Sequence, residues 1–114
     1  MKKVLLGLLL LGTIAQAKIT NDTVAKIQTS VKIMVKSTGT SYEEYKALTK
    51  RELFQTTDKE YMYLAESSDG VLVTLYNEYL EVITSEYLPN LNTADVIEYF
   101  KANGTRIADN QKLK

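Results

Sequence analysis

Carboxylates are the first groups to consider for chemistry, because the usual catalytic side chains are missing. The chain has 114 residues and contains no His and no Cys. That removes the commonest general base, thiolate nucleophiles, thiolate zinc sites and any disulfide scaffold. Glu43 and Glu44 are adjacent, and Glu78 and Glu81 have the spacing of one helix face. Glycosidases need two carboxyl groups roughly 5–9.5 Å apart in a cleft, one with its pKa raised by burial. Both pairs here fall on the polar side of their segments, where charged groups ordinarily stay solvated. Asn90, Asn92 and Asp95 have a loose calcium-loop spacing, as do Ser67, Ser68 and Asp69, but neither set has a terminal bidentate Glu. Helix capping explains both more simply. Without His no serine triad can form, and the scattered glycines make no phosphate loop. The expectation is a protein that is not an enzyme and uses no cofactor or metal.

Tyrosine is the other conspicuous residue type, with eight copies against two Phe and no Trp. A tyrosine ring supplies much contact area with few rotors and is enriched at binding hot spots. Most of the eight follow apolar stripes and read as edges of a core. Tyr76 and Tyr79 fall in the densest stripe and are expected to pack. Tyr42 and Tyr45 stand beside carboxylates on a weaker stripe. Tyr61 and Tyr63 are two apart, so on a helix they cannot both face inward. The predicted partner-binding residues are therefore Tyr42, Tyr45, Tyr61 and Tyr63, with Glu43, Glu44 and Glu60 steering a basic protein partner.

The elements expected to position these groups are helical. Val24, Ile27, Val31 and Met34 repeat at helical steps after the cap candidates Thr20, Asn21 and Asp22, and Gly39 marks a break. Ser41 and Glu44 fit a capping box opening a second helix. Asp58 is a possible cap for Lys59 to Glu66. Leu72, Leu75, Tyr76, Tyr79, Leu80, Ile83 and Tyr87 hold a helical period, which predicts a long central helix from Val71 to about Leu88, closed by Pro89. A last helix runs from Ala94 to Ala102, capped by Asn92 or Thr93, and Asn110 to Lys114 reads as a frayed polar tail. The predicted fold class is all-α, a bundle of four or five short helices. The alternative is α+β with a hairpin at Asp69-Gly70, setting Leu64 opposite Leu75 and Tyr63 opposite Tyr76.

Lys2 and Lys3, the apolar run from Val4, and Ala15-Gln16-Ala17 make a secretory signal peptide over 1–17, cut between Ala17 and Lys18. The apolar run is too short to span a bilayer, which takes ~20 residues. The mature single domain, 18–114, carries two more acids than bases, which argues against nucleic acid as a partner.

The run from Thr93 to Ile107, TADVIEYFKANGTRI, resembles a segment of the periplasmic immunity proteins that neutralise type VI secretion amidase effectors. The shared features are a short helix ending in a tyrosine-plus-apolar pair and a polar turn. The upstream order is similar too: signal peptide, one helix, a Tyr-rich segment near Tyr63, Gly70, then a long helix closed by Pro89. About half the mature chain is covered, the cysteines common in that family are absent, and no functional residue transfers. The resemblance implies an inhibitor or immunity role, with a basic effector or an envelope enzyme as partner. The expected function is thus an exported, periplasmic protein-binding module. The alternative is a helical cup carrying a small hydrophobic ligand.

Overall fold

The computed structural model describes residues 18–114, so the signal peptide read over 1–17 lies outside the described residues. Thr20 begins the first element. Its hydroxyl accepts the Thr23 N–H, capping α1 (Asn21–Lys36), which buries Ile27, Val31 and Val35. Ser41 caps α2 (Tyr42–Leu48) through the Glu44 N–H. Four strands follow as an antiparallel meander: β1 (Lys50–Thr56), β2 (Tyr61–Ser67), β3 (Gly70–Tyr76) and β4 (Val82–Pro89). Next comes α3 (Thr93–Ala102), held by a capping box between Asn92 and Asp95. The chain then returns as β5 (Ile107–Leu113), antiparallel to β1. The sheet order is β4-β3-β2-β1-β5.

Helices cover both faces of this sheet. Leu53, Tyr63, Ala65 and Tyr76 pack with Ile27, Val31 and Val35 of α1. On the other face Phe54, Met62, Leu64, Val71 and Val73 pack with Val96 of α3. The two clusters alternate residue by residue along β2 and β3, as the strand period of two requires.

The fold is therefore α+β, and the expected all-α bundle is overturned. The reason is physical. A strand covered on both faces reads as a continuous apolar run, so alternation is lost from the sequence and a helical period can be threaded through it. The stretch expected as one helix from Val71 to Leu88 is a hairpin. Its turn is organised by Asn77, whose side-chain carbonyl accepts the N–H groups of Tyr79 and Glu81 while Leu80 adopts a φ of 65°. The segment expected as a helix from Lys59 to Glu66 is mostly β2. The polar tail expected from Asn110 belongs to β5.

The alternative hairpin is present, but it turns at Ser68-Asp69, with Gly70 of β3 already paired to Ser67, two residues out of the register expected. Leu64 faces Val73, Tyr63 faces Thr74, and Tyr61 faces Tyr76. Gly70 is required there by space: a Cβ would collide with the Leu88 carbonyl oxygen and come 2.8 Å from the Tyr87 hydroxyl. Among the described residues, no helix is long and apolar enough to cross a membrane.

Candidate protein-binding surface

Three of the four tyrosines expected at a partner surface meet on the α1/α2 side of the sheet. Tyr42 and Tyr45 come from α2, with ring centroids 6.1 Å apart. Tyr63 comes from the centre of β2, is 0% exposed, and shares a 3.0 Å hydrogen bond between hydroxyls with Tyr45. Arg51 of β1 is also buried. One of its guanidinium N–H groups donates to the Tyr42 hydroxyl at 2.8 Å, another to the Lys114 backbone oxygen. Lys32, Lys46 and Arg51 all lie over the Tyr42 ring. Burial raises the pKa of Tyr45 and Tyr63 above the usual phenol value, and the phenol–phenol contact pushes Tyr63 further. These groups stay neutral and hydrogen-bonded. The cluster ties α2 to the sheet.

Tyr61 lies on the same face of β2 as Tyr63, because residues two apart on a strand point the same way. It is half-buried, and its hydroxyl accepts from the Gln55 amide at 3.4 Å. Glu43 and Glu44 are exposed on α2, with Glu43 3.8 Å from Lys46. Glu60 is exposed in the β1–β2 turn, away from α2. The expected set is thus divided: Tyr63 in the core, Tyr42, Tyr45 and Tyr61 half-buried, and the three glutamates exposed in two separate places.

Other tyrosines face water. Tyr79 at the tip of the β3–β4 turn is 76% exposed, Tyr99 on α3 65%, and Tyr87 on β4 49%. Val82 and Ile83 are also exposed on β4, and Leu91 just after it. Among the described residues no strand pairs with the outer edge of β4. An edge like this presents unpaired N–H and C=O groups beside apolar side chains.

Two apolar grooves flank that edge. On the α1/α2 side a groove of about 480 Å³ is lined by Met34, Val35, Leu48, Leu72 and Ser85, among others. On the α3 side one of about 490 Å³ is lined by Val73, Leu88, Leu91, Val96, Tyr99 and Phe100, with Glu86 and Asp95. Sequence reasoning misses this surface because a helical period draws Tyr79, Ile83 and Tyr87 into one stripe. The signal that could have found it is Val82-Ile83-Thr84 with Tyr87, a β-branched and aromatic composition that favours a strand, ending near Pro89, which a strand tolerates at an edge.

Among the described residues there is no group of three or more His, Cys, Asp or Glu able to hold a metal ion. The arrangement offers contact area and backbone hydrogen bonds. Comparison with known proteins gives no match among family models, curated proteins or solved structures.

Proposed function

We propose that this chain is an exported, non-enzymatic protein-binding module of the inhibitor or immunity kind, working in the periplasm. One observation carries the reading: β4 is an edge strand whose Val82, Ile83 and Tyr87 are exposed, whereas β5, the other edge of the sheet, is polar. Contiguous exposed apolar surface on a small domain marks an interaction site more often than it is incidental. The test replaces Tyr87 with a photo-crosslinking amino acid in the exported protein, with Lys112 of β5 as the control position. A single envelope or effector protein should crosslink from position 87, be identified by mass spectrometry, and bind again when both proteins are purified. Equal labelling from both positions would defeat the reading.

The grooves also support a second reading, a carrier of a small hydrophobic molecule, because their volumes fall within the ~300–1,000 Å³ range of ligand pockets. Native mass spectrometry separates the two. A carrier retains a small apolar adduct when purified from its host, and a protein-binding module does not.

A further inference from the structure

Strand β4 has different surroundings on its two faces. Ser85 and Tyr87 pair opposite Thr74 and Leu72 on the α1/α2 side, and Ile83 follows on that row at a bulge that shifts the register between Thr84 and Val82. Ser85 shares a 3.0 Å hydrogen bond with Thr74, and the neighbouring groove has no charged lining residue. Thr84, Glu86 and Leu88 point toward α3, where the groove has two charged lining groups, Glu86 and Asp95, both carboxylates. One oxygen of Asp95 is used in the cap, accepting the Asn92 N–H at 3.0 Å. Glu86 takes part in neither of the ion pairs formed among the described residues.

We infer that the occupant of this surface is an extended segment of a partner protein that adds to the free edge of β4, alternating apolar residues with Lys or Arg. This rests on the protein-binding reading. An added strand shares the pleat of β4, so its side chains alternate between the two sides. Those on the α1/α2 side meet Ile83, Tyr87 and an uncharged apolar groove. Those on the α3 side meet Glu86 and Asp95 at the rim of a groove lined by no cation. Apolar side chains fit the first row and long cationic ones the second.

A second copy of this chain fits less well. Pairing two β4 strands about Ser85 places Ile83 opposite Tyr87 twice, which is favourable. It also places the two Glu86 side chains on the diagonal, about 7–8 Å apart, beside carboxylates already present. Like charges near one another in a strand pair oppose association.

The experiment titrates the mature chain with fluorescent nine-residue peptides. All share Val and Ile at alternate positions, and the intervening positions are Lys, Gln or Glu. The Lys peptide should bind about ten-fold tighter than the Gln peptide at low salt, with the Glu peptide weakest. Glu86→Lys, on the exposed face of β4, should reverse that order. Backbone N-methylation of the Lys peptide at alternate residues gives two series. One should lose binding and the other keep it, because an added strand uses one edge only. Equal affinity for Lys and Glu peptides would overturn the charge assignment. Equal tolerance of both methylated series would overturn strand addition. A dimer in sedimentation that Ile83→Lys dissolves would assign the edge to a second copy instead. Should no peptide bind while the crosslinker at position 87 still captures one identified protein, this inference fails and the protein-binding reading stands.

Discussion

Strand β5 carries Asp109, Asn110, Gln111 and Lys112 between Ile107 and Leu113, whereas β4 runs Val82-Ile83-Thr84-Ser85-Glu86-Tyr87-Leu88. Both are edges of one sheet. The β5 edge is polar, and its side chains are tied down: Asp109 accepts the Ile19 N–H at 2.8 Å, and Asn110 donates to Glu52 at 3.0 Å. The β4 edge has one charge and leaves Ile83 and Tyr87 in water. Soluble sheets protect edges with charge, cover or distortion, because an open apolar edge pairs with other chains. The β5 edge is guarded by polar side chains along its length, whereas β4 has a bulge at its start and Pro89 at its end, which leaves its middle, Thr84 to Leu88, as the part open to contact.

The largest effect expected is one that removes both edges together. Burial raises the pKa of Tyr45, Tyr63 and Tyr76, the last while its hydroxyl donates to Ser30 at 3.1 Å. Above pH ~10 the unfolded chain releases protons that the folded chain retains. The stability held by the neutral phenols is complete below that pH and is lost as pH rises through the folded-state values. Urea melts at increasing alkalinity should show the midpoint falling from about pH 10, with the phenolate absorbance of these three appearing only on unfolding. Ionisation of all three within an intact fold would show the cluster to be less buried than it is here.

Next in size is a pair of truncations on opposite sides of the sheet. Leu53 of β1 is fully buried beside β5, and Leu53→Ala should cost about 2–5 kcal/mol in a denaturant melt. Ile83→Ala on β4 should change stability by about 0.5 kcal/mol or less. Similar losses at the two positions would mean that β4 is structural and the contrast between the edges is false.

These contrasts also show what the sequence reveals. Both long helices were readable because their caps and periodicity agree: Thr20 before α1, and Asn92 with Asp95 at α3. Strands β2 and β3 were not, since α1 and α3 cover opposite faces and remove the alternation that marks a strand. The β3–β4 turn has neither Gly nor Pro, and its geometry comes from the Asn77 side chain. β5 reads as a tail because its partner β1 lies about half the chain away. The candidate surface followed the same error. A helical reading of the stretch puts Tyr76 and Tyr79 in the core and Tyr63 at the surface, whereas the hairpin buries Tyr76 and Tyr63 and leaves Tyr79 exposed in its turn.

Gly70→Ala gives a smaller change, at the point where β4 leaves the core. The added methyl meets the Leu88 backbone oxygen, which can yield only by moving β4 away from β3. The cost should be about 1–3 kcal/mol, as for other overpacked sites. Hydrogen exchange should rise first at Leu88 and Tyr87 and last at the β1–β5 ladder. Uniform exchange along the sheet would show that β4 is coupled to the rest as tightly as any inner strand.

The smallest change in stability should come from Ile83→Lys. Position 83 is 52% exposed and Ile83 belongs to neither core cluster, so a long side chain can extend into solvent without leaving a cavity. The melt should shift by about 0.5 kcal/mol or less. The substitution nevertheless gives β4 what β5 already has, a cation on an edge strand, a common natural block to edge pairing. It also repels the cationic segment proposed to dock there. If the β4 edge is the binding surface, the partner that crosslinks at position 87 should bind at least about thirty-fold more weakly, corresponding to ~2 kcal/mol at a hot spot. Ile83→Thr should lose less, because it removes apolar area without adding charge. Full binding by Ile83→Lys, with an unchanged melt, would show that the open edge is not where this protein makes contact, and attention would return to the half-buried Tyr42, Tyr45 and Tyr61.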